Sequence, residues 1–214
     1  MAIKIFKGVQ GDAHWHNELR SGVLTGSEFP KVVTGKGVFS KSSADLADTK
    51  AFERFTGIQE QSPQTFVMKE GHRKEDKAKE LYSLLTGYEE TEVSFIRDMS
   101  KPYGISPDFV SLDANDNIIK LAEIKSLKGG LWSKTYRTKQ VPSKYIPQVQ
   151  GQLLTCEMDS LDFIMYSEDG GLYWFPVYRD EPYIAKLRDA FKKFEEEVQK
   201  YHKVLLNATD IWRI

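Results

Sequence analysis

The 214-residue sequence holds a single cysteine, Cys156. One thiol can form no disulfide within the chain, no zinc site of paired cysteines and no iron–sulfur cluster on four cysteine ligands, so any metal site must rest on carboxylates. No stretch approaches the roughly 18 apolar residues of a membrane span, and the opening MAIKIFKG lacks the apolar run of a secretory signal. The expectation is a cytoplasmic chain without membrane association. An excess of one charge is missing as well, since 30 Lys and Arg stand against 31 Asp and Glu. No internal repeat, low-complexity tract or Pro/Ser-rich linker divides the chain, and 40% hydrophobic content can supply one sizeable core. A single domain over residues 1–214 is therefore expected.

The near-neutral total hides an uneven distribution. From Lys120 to Lys144 run Lys120, Lys125, Lys128, Lys134, Arg137, Lys139 and Lys144 against one acid, Glu123, with Trp132, Tyr136 and Tyr145 interleaved. The stretch reads either as a phosphate-facing surface or as a solvated loop whose lysines confer solubility, its aromatics packing residues. His14 and His16 flank Trp15, but histidines two apart share no helix face and no third imidazole is near in sequence, which argues against zinc. Trp15 reads as core packing.

Helical periodicity dominates the first third. His14–Arg20 leads to a capping hydroxyl in Thr25-Gly-Ser27 and a helix from near Glu28; another helix spans about 43–55, and a longer one starts at Ser62-Pro63 and stops at Gly87, with Gly71 a point of interruption. The pattern then turns extended: 91–97, 109–112 and 118–124 read as a meander of strands, the last two joined by the turn Asp113–Asn117. Pro147 opens a helix carrying Gln148, Val149 and Leu153, with Gln150 read as solvent-facing; 162–166 and 172–178 are strands around Glu168–Gly171, and 182–206 is a long charged helix. The order predicts an α/β fold, a mixed central β-sheet flanked by helices.

The chemistry concentrates at Ser106-Pro107-Asp108 and, fifteen residues after the aspartate, Glu123-Ile124-Lys125. Residues two apart on a strand share a face, so Glu123 and Lys125 project together while Ile124 faces the core, and Asp108 arrives on the neighbouring strand. Two carboxylates and an ammonium converging on one spot waste charge in a structural core but suit a hard cation, Mg²⁺ with Mn²⁺ as a substitute. Phosphodiester cleavage is the reaction such a site serves: Asp108 and Glu123 hold one or two metal ions, and Lys125 positions or helps deprotonate the attacking water and offsets developing charge.

Five ordered blocks, spanning about residues 12–168, resemble the lambda exonuclease family of phage-type recombination nucleases in the PD-(D/E)xK, restriction-endonuclease-like superfamily. Trp15 through Ser27 is similar to the family's W…R…G…T…S block, which implies that Arg20 and Ser27, assisted by Thr25, grip a 5′ phosphate. Gly71-His-Arg-Lys-Glu75-Asp-Lys-Ala78 is similar to its G-x-x-x-E-x-x-A helix, which brings Glu75 to the metal. Asp98, ten residues before Asp108, matches a further acid near the metals. With Asp108, Glu123 and Ile124 these complete the implied metal environment. Phe109 stands where the phage enzyme carries glycine, altering the turn after the aspartate but not its carboxylate. Tyr145-Ile-Pro-Gln148-Val-Gln150 resembles the Y-x-x-Q-x-Q helix, which implies that Gln148 orients the water or scissile phosphate. Met68 falls where the resemblance implies an apolar strand-separation wedge.

The resemblance implies a Mg²⁺-dependent 5′ to 3′ exonuclease that degrades one strand from the end of double-stranded DNA. It leaves a 3′ overhang for recombination by a single-strand annealing protein, works as a homotrimeric ring, and belongs in a bacterial or phage-infected cell. Two alternatives stay open: an endonuclease using the same Asp108, Glu123 and Lys125, and a non-catalytic DNA-binding module.

Overall fold

Four consecutive residues of the strand Ile118–Ser126, from Leu121 to Ile124, are buried. A strand enclosed on both faces needs partners on both edges and a covering layer on each side. The computed structural model describes residues 3–59 and 66–208, with side chains from residue 70 onward in the second stretch. In chain order its strands are β1 (Ile3–Lys7), β2 (Leu24–Thr25), β3 (Val93–Asp98), β4 (Tyr103–Gly104), β5 (Phe109–Leu112), β6 (Ile118–Ser126), β7 (Ser160–Ser167) and β8 (Gly171–Tyr178). Its helices are α1 (Phe29–Val32), α2 (Ser43–Thr56), α3 (Phe66–Thr86), α4 (Gly129–Thr138), α5 (Ile146–Cys156) and α6 (Glu181–Leu206).

The main sheet has the order β5-β6-β7-β8, with β6 and β7 parallel and the outer pairs antiparallel. It is the mixed sheet flanked by helices that the element order implies. Register sorts the side chains: Ala122, Ile124 and Ile164 face α3 with Phe109, Ala78 and Tyr82, whereas Glu123 pairs with Phe163 and Lys125 with Met165 on the opposite face. Tyr82 ties α3 down further by donating its hydroxyl to Asp162 at 2.5 Å.

Helix α5 is the crossover between the parallel strands and is buried from Pro147 to Cys156. Gly151 explains how it lies so deep, since a Cβ there would stand 2.2 Å from a ring carbon of Phe29, itself fully buried at the start of α1. Outside α5 lies α6, which buries Tyr183, Ile184, Leu187, Ala190, Phe191, Phe194 and Val198 at helical spacing. Arg54 of α2 forks onto Glu195 of α6 with two hydrogen bonds of 2.7 Å.

Four features depart from the sequence expectations. The expected meander is broken, because β3 pairs antiparallel with β1, a strand not anticipated, while Thr91, just before β3, donates its N–H to the Val110 carbonyl of β5 at 2.7 Å. The expected loop after β6 contains α4. Gly71 does not interrupt α3, whose expected start at Ser62-Pro63 lies outside the described residues. Gln150 is buried rather than solvent-facing, donating to the Tyr178 carbonyl and accepting from the Asp180 N–H, both at 2.9 Å.

Because the Gly151–Phe29 contact leaves no room for a methyl group, Gly151→Ala is expected to destabilise the chain by about 1–3 kcal/mol, although alanine is the better helix former. Denaturant titration of the variant checks this, and an unchanged midpoint would contradict the packing described.

Candidate active site

One step beyond the Phe109–Ala122 pair, Asp108 reaches the level of Glu123. Its Oδ2 accepts the Ile124 N–H at 2.8 Å, which pins the carboxylate to the neighbouring strand. Lys125 Nζ lies 3.8 Å from Asp108 Oδ2 and makes a close ion pair with Glu123 Oε1. Glu123 is fully buried beneath α5, where Gln152 donates its amide to Oε2. Apart from the Lys125 ammonium, Glu123 Oε1 has no hydrogen-bond partner.

Glu75 comes from α3 on the other side of the strand ends. Lys79, one turn on, bridges Glu75 Oε1 at 3.5 Å and Glu90 Oε1 at 3.0 Å. Burial, and then the charge of Asp108, push the carboxyls of both Glu75 and Glu123 well above the usual range. Burial alone would lower the pKa of Lys125, but Glu123 and Asp108 outweigh it and hold the ammonium protonated. Lys125 is thus a fixed positive charge, suited to orienting a water and countering anionic charge rather than to taking a proton.

These carboxylates pass the chemical test for a hard cation: three converging acids, two with protons drawn towards them, and a buried oxygen short of partners. As the side chains stand, no group of three or more His, Cys, Asp or Glu is gathered around one point among the described residues, so closing on an ion requires them to adjust. One of the sequence-based assignments parts from this centre. Asp98 does not line the cleft; at the end of β3 it accepts the Ser100 N–H at 2.9 Å, a turn-forming role. Ile124 keeps its side chain in the core and serves Asp108 through its N–H.

Glu75, Asp108, Lys125 and Gln148 open onto one cleft of about 1340 Å³, and Arg20, Thr25 and Ser27 line the same cleft. The Arg20 guanidinium stacks 3.8 Å over the Trp15 ring, while its Nε is enclosed without a partner. Trp15 joins the two ends of the cleft: its Nε1 donates to Ser106 Oγ and to the Ser94 carbonyl, each at 2.9 Å. Gln10 braces the same run by donating to the Pro107 carbonyl at 3.0 Å.

A buried charge network shapes the Arg20 end. Lys50 is 1% exposed and lies 2.9 Å from Glu28 Oε1 and 3.0 Å from Glu53 Oε2. Glu28 in turn accepts the Thr25 N–H at 2.9 Å and its hydroxyl at 2.8 Å, and Glu53 accepts the Gly22 N–H at 2.8 Å. Lys50 thus holds both carboxylates, and among the described residues the Arg20 guanidinium makes one side-chain hydrogen bond, a 3.4 Å contact to Thr25 Oγ1. Sequence reasoning missed Lys50, Gln10 and Gln152. Only Gln152 left a usable signal, standing four residues after Gln148 on the same helix face. The side chain of Met68 lies outside the described residues.

The pattern of the YqaJ-like viral recombinase domain matches residues 14–159. The chain belongs to that family. This YqaJ-like assignment agrees with the lambda exonuclease family that the motifs resemble. A comparison with curated proteins found no match. Among solved structures, the family member is similar to an alkaline exonuclease, LHK-Exo from Laribacter hongkongensis, at 25% identity and a TM-score of 0.74, covering 91% of this chain and 96% of that one. The same enzyme in complex with dAMP matches at 26% identity with the same TM-score and coverage. A phage-related exonuclease from Haemophilus somnus 129PT shares the fold at 14% identity and a TM-score of 0.55, covering 89% of this chain and 97% of that one.

The buried charges set how stability responds to pH and to mutation. A carboxyl whose pKa is higher folded than unfolded binds more protons in the folded state, so its stabilising contribution is present at low pH and lost as pH rises towards neutrality. In chelator, the melting temperature is expected to fall between about pH 5 and about pH 8, and Glu123→Gln should flatten the slope in a thermal melt. Removing the buried ammonium by Lys50→Met strands Glu28 and Glu53 and should cost about 3–5 kcal/mol, measurable by urea unfolding.

Proposed function

We propose that this chain is a Mg²⁺-dependent 5′ to 3′ exonuclease acting on double-stranded DNA ends, with Mn²⁺ able to substitute. The observation that carries the reading is the shared cleft: an arginine with an unsatisfied donor at one end, converging carboxylates and an ammonium at the other, held together through Trp15. LHK-Exo, an exonuclease captured with a mononucleotide, supports the same reading.

Arg20, Thr25 and Ser27 grip a terminal 5′ phosphate, guanidinium and hydroxyls being suited to its oxygens. Asp108, Glu123 and Glu75 hold one or two ions, which when bound supply Lewis-acid charge for the pentavalent phosphate and lower the pKa of water. Lys125 holds the attacking water in line and offsets the negative charge of the transition state. Gln148, from the buried α5, directs the water or the non-bridging phosphate oxygen, and Gln152 fixes the Glu123 carboxylate that Lys125 leans on. Gripping the 5′ end while cutting beside it releases mononucleotides and leaves a 3′ overhang for strand-annealing recombination. A single-strand annealing recombinase as partner, a homotrimeric ring and a cytoplasmic setting complete the proposal. Among the described residues no helix is long and apolar enough to cross a membrane.

The test is digestion of linear duplex, with and without a 5′ phosphate, in Mg²⁺ and in chelator. Wild type should shorten the 5′-ended strand, favour the phosphorylated end and stop in chelator; Lys125→Ala should lower the rate by at least about 10²-fold, the scale of losing one transition-state charge partner, and Arg20→Ala should erase the phosphate preference. Cutting of a covalently closed circle would show an endonuclease instead, and binding without cleavage a non-catalytic module.

A further inference from the structure

Between Ile124 and Glu157 the chain contains no acidic residue, and the cations Lys125, Lys128, Lys134, Arg137, Lys139 and Lys144 fall within that interval. All but Lys125 are exposed, and none of those five forms an ion pair among the described residues. The distinguishing feature is the lack of any acid in the interval, since Lys41, Lys192 and Lys193 are also exposed without an ion pair among the described residues. In a chain with a net charge of −1, this is strong local segregation.

The structure also holds one of these cations, Lys139, in place. Three of these cations lie on or at the end of α4. Trp132 and Tyr136 stack one turn apart with centroids 5.3 Å apart and planes 12° from parallel, and Tyr136 meets the edge of Tyr173 on β8 at 4.7 Å. Lys139 sits in the notch between rings, 3.9 Å from the centroid of Tyr136 and 3.7 Å from that of Tyr173. A cation held over aromatic faces has already lost much of the freedom that a free lysine would lose on binding.

Its position is continuous with the cleft. Lys125, Met165 and Tyr173 form one cross-strand row, so Tyr173 lies two strand spacings, roughly 10 Å, from the Lys125 backbone. That distance places the aromatic notch within a few nucleotides of the cleft. Tyr145 links the two as well, with Lys125 5.4 Å from its ring centroid and Lys144 4.6 Å away.

We infer that the exposed face of α4, with Lys128 and Lys144 at its margins, is a second DNA contact that holds the phosphate backbone a few nucleotides from the cleavage point. The inference rests on the proposed nuclease function, whose cleft supplies the first contact. The charge complementarity is to a polyanion running out of that cleft, and the patch cations would keep the substrate engaged between successive cuts.

The test is equilibrium binding of full-length protein to linear duplex in chelator, where no cutting occurs, across about 50–200 mM salt. Compared are wild type, the patch variant Lys134→Glu/Arg137→Glu/Lys139→Glu, and the control Lys41→Glu/Lys192→Glu/Lys193→Glu, which makes the same charge change at exposed positions away from α4. The patch variant should bind at least about tenfold more weakly than the control and lose about two to three units of slope in log affinity against log salt, since each neutralised phosphate contributes about 0.9. Since Lys139 packs on two rings, Lys134→Glu/Arg137→Glu alone guards against misfolding and should lose about one to two units. Equal affinities and slopes for patch and control variants would overturn the inference, even with exonuclease activity intact. Loss of binding to an acidic protein partner with DNA binding unaltered would also overturn it. A wild type that binds no DNA at any salt would instead overturn the nuclease proposal itself.

Discussion

The contact on which the site depends is the pairing of Glu123 with Lys125 under α5. A carboxylate at zero exposure is costly unless its charge is answered, and here the answer comes from a side chain two residues along the same strand. That pairing requires β6 to be extended and buried, which in turn requires β7 alongside it, α5 above it and α3 below it. The site is thus a consequence of the sheet rather than an addition to its edge. Asp108 reinforces the arrangement by binding a backbone N–H of β6, so that a displaced carboxylate would also disturb the strand register.

The two ends of the cleft meet the same need in opposite ways. At the Asp108 end the acids outnumber Lys125 and Lys79, and protons are drawn to Glu75 and Glu123. At the Arg20 end the internal cation Lys50 satisfies two acids at once, and the arginine keeps an unused donor. Acids are in excess at one end, whereas at the other Arg20 and Lys50 balance Glu28 and Glu53. Trp15 ties the two ends together through Ser106 and the Ser94 carbonyl.

Period-2 alternation makes the core of the site legible in the sequence, because Glu123, Ile124 and Lys125 sit within an apolar-flanked strand and Asp108 precedes its partner. What local pattern does not carry is long-range pairing. β1 and β3 join across some 90 residues, and no short-range signal records that choice, so sequence distance groups Asp98 with Asp108 although its strand belongs to another sheet. Helix α4 is hidden by its own composition: Gly129 and Gly130 open it, charges punctuate it and only Thr135 is fully buried, leaving little apolar period to read. Gln150 is hard to read for the opposite reason. A helix enclosed on every side has no polar face to betray it, and its amides find partners only in the folded chain.

The β5–β6 connection has a practical side. The Asp113 carboxylate helps close this turn, its Oδ1 accepting the N–H groups of Asn115 and Asn117 at 2.8 Å each. The turn sits at the far end of the hairpin from Asp108, four strand residues or roughly 13 Å away. Its geometry is held by local hydrogen bonds and by Lys7 on Asp116, not by the cleft, so the exposed Asn115 is a place where a fluorophore or surface tether can be attached with the chemistry left at a distance.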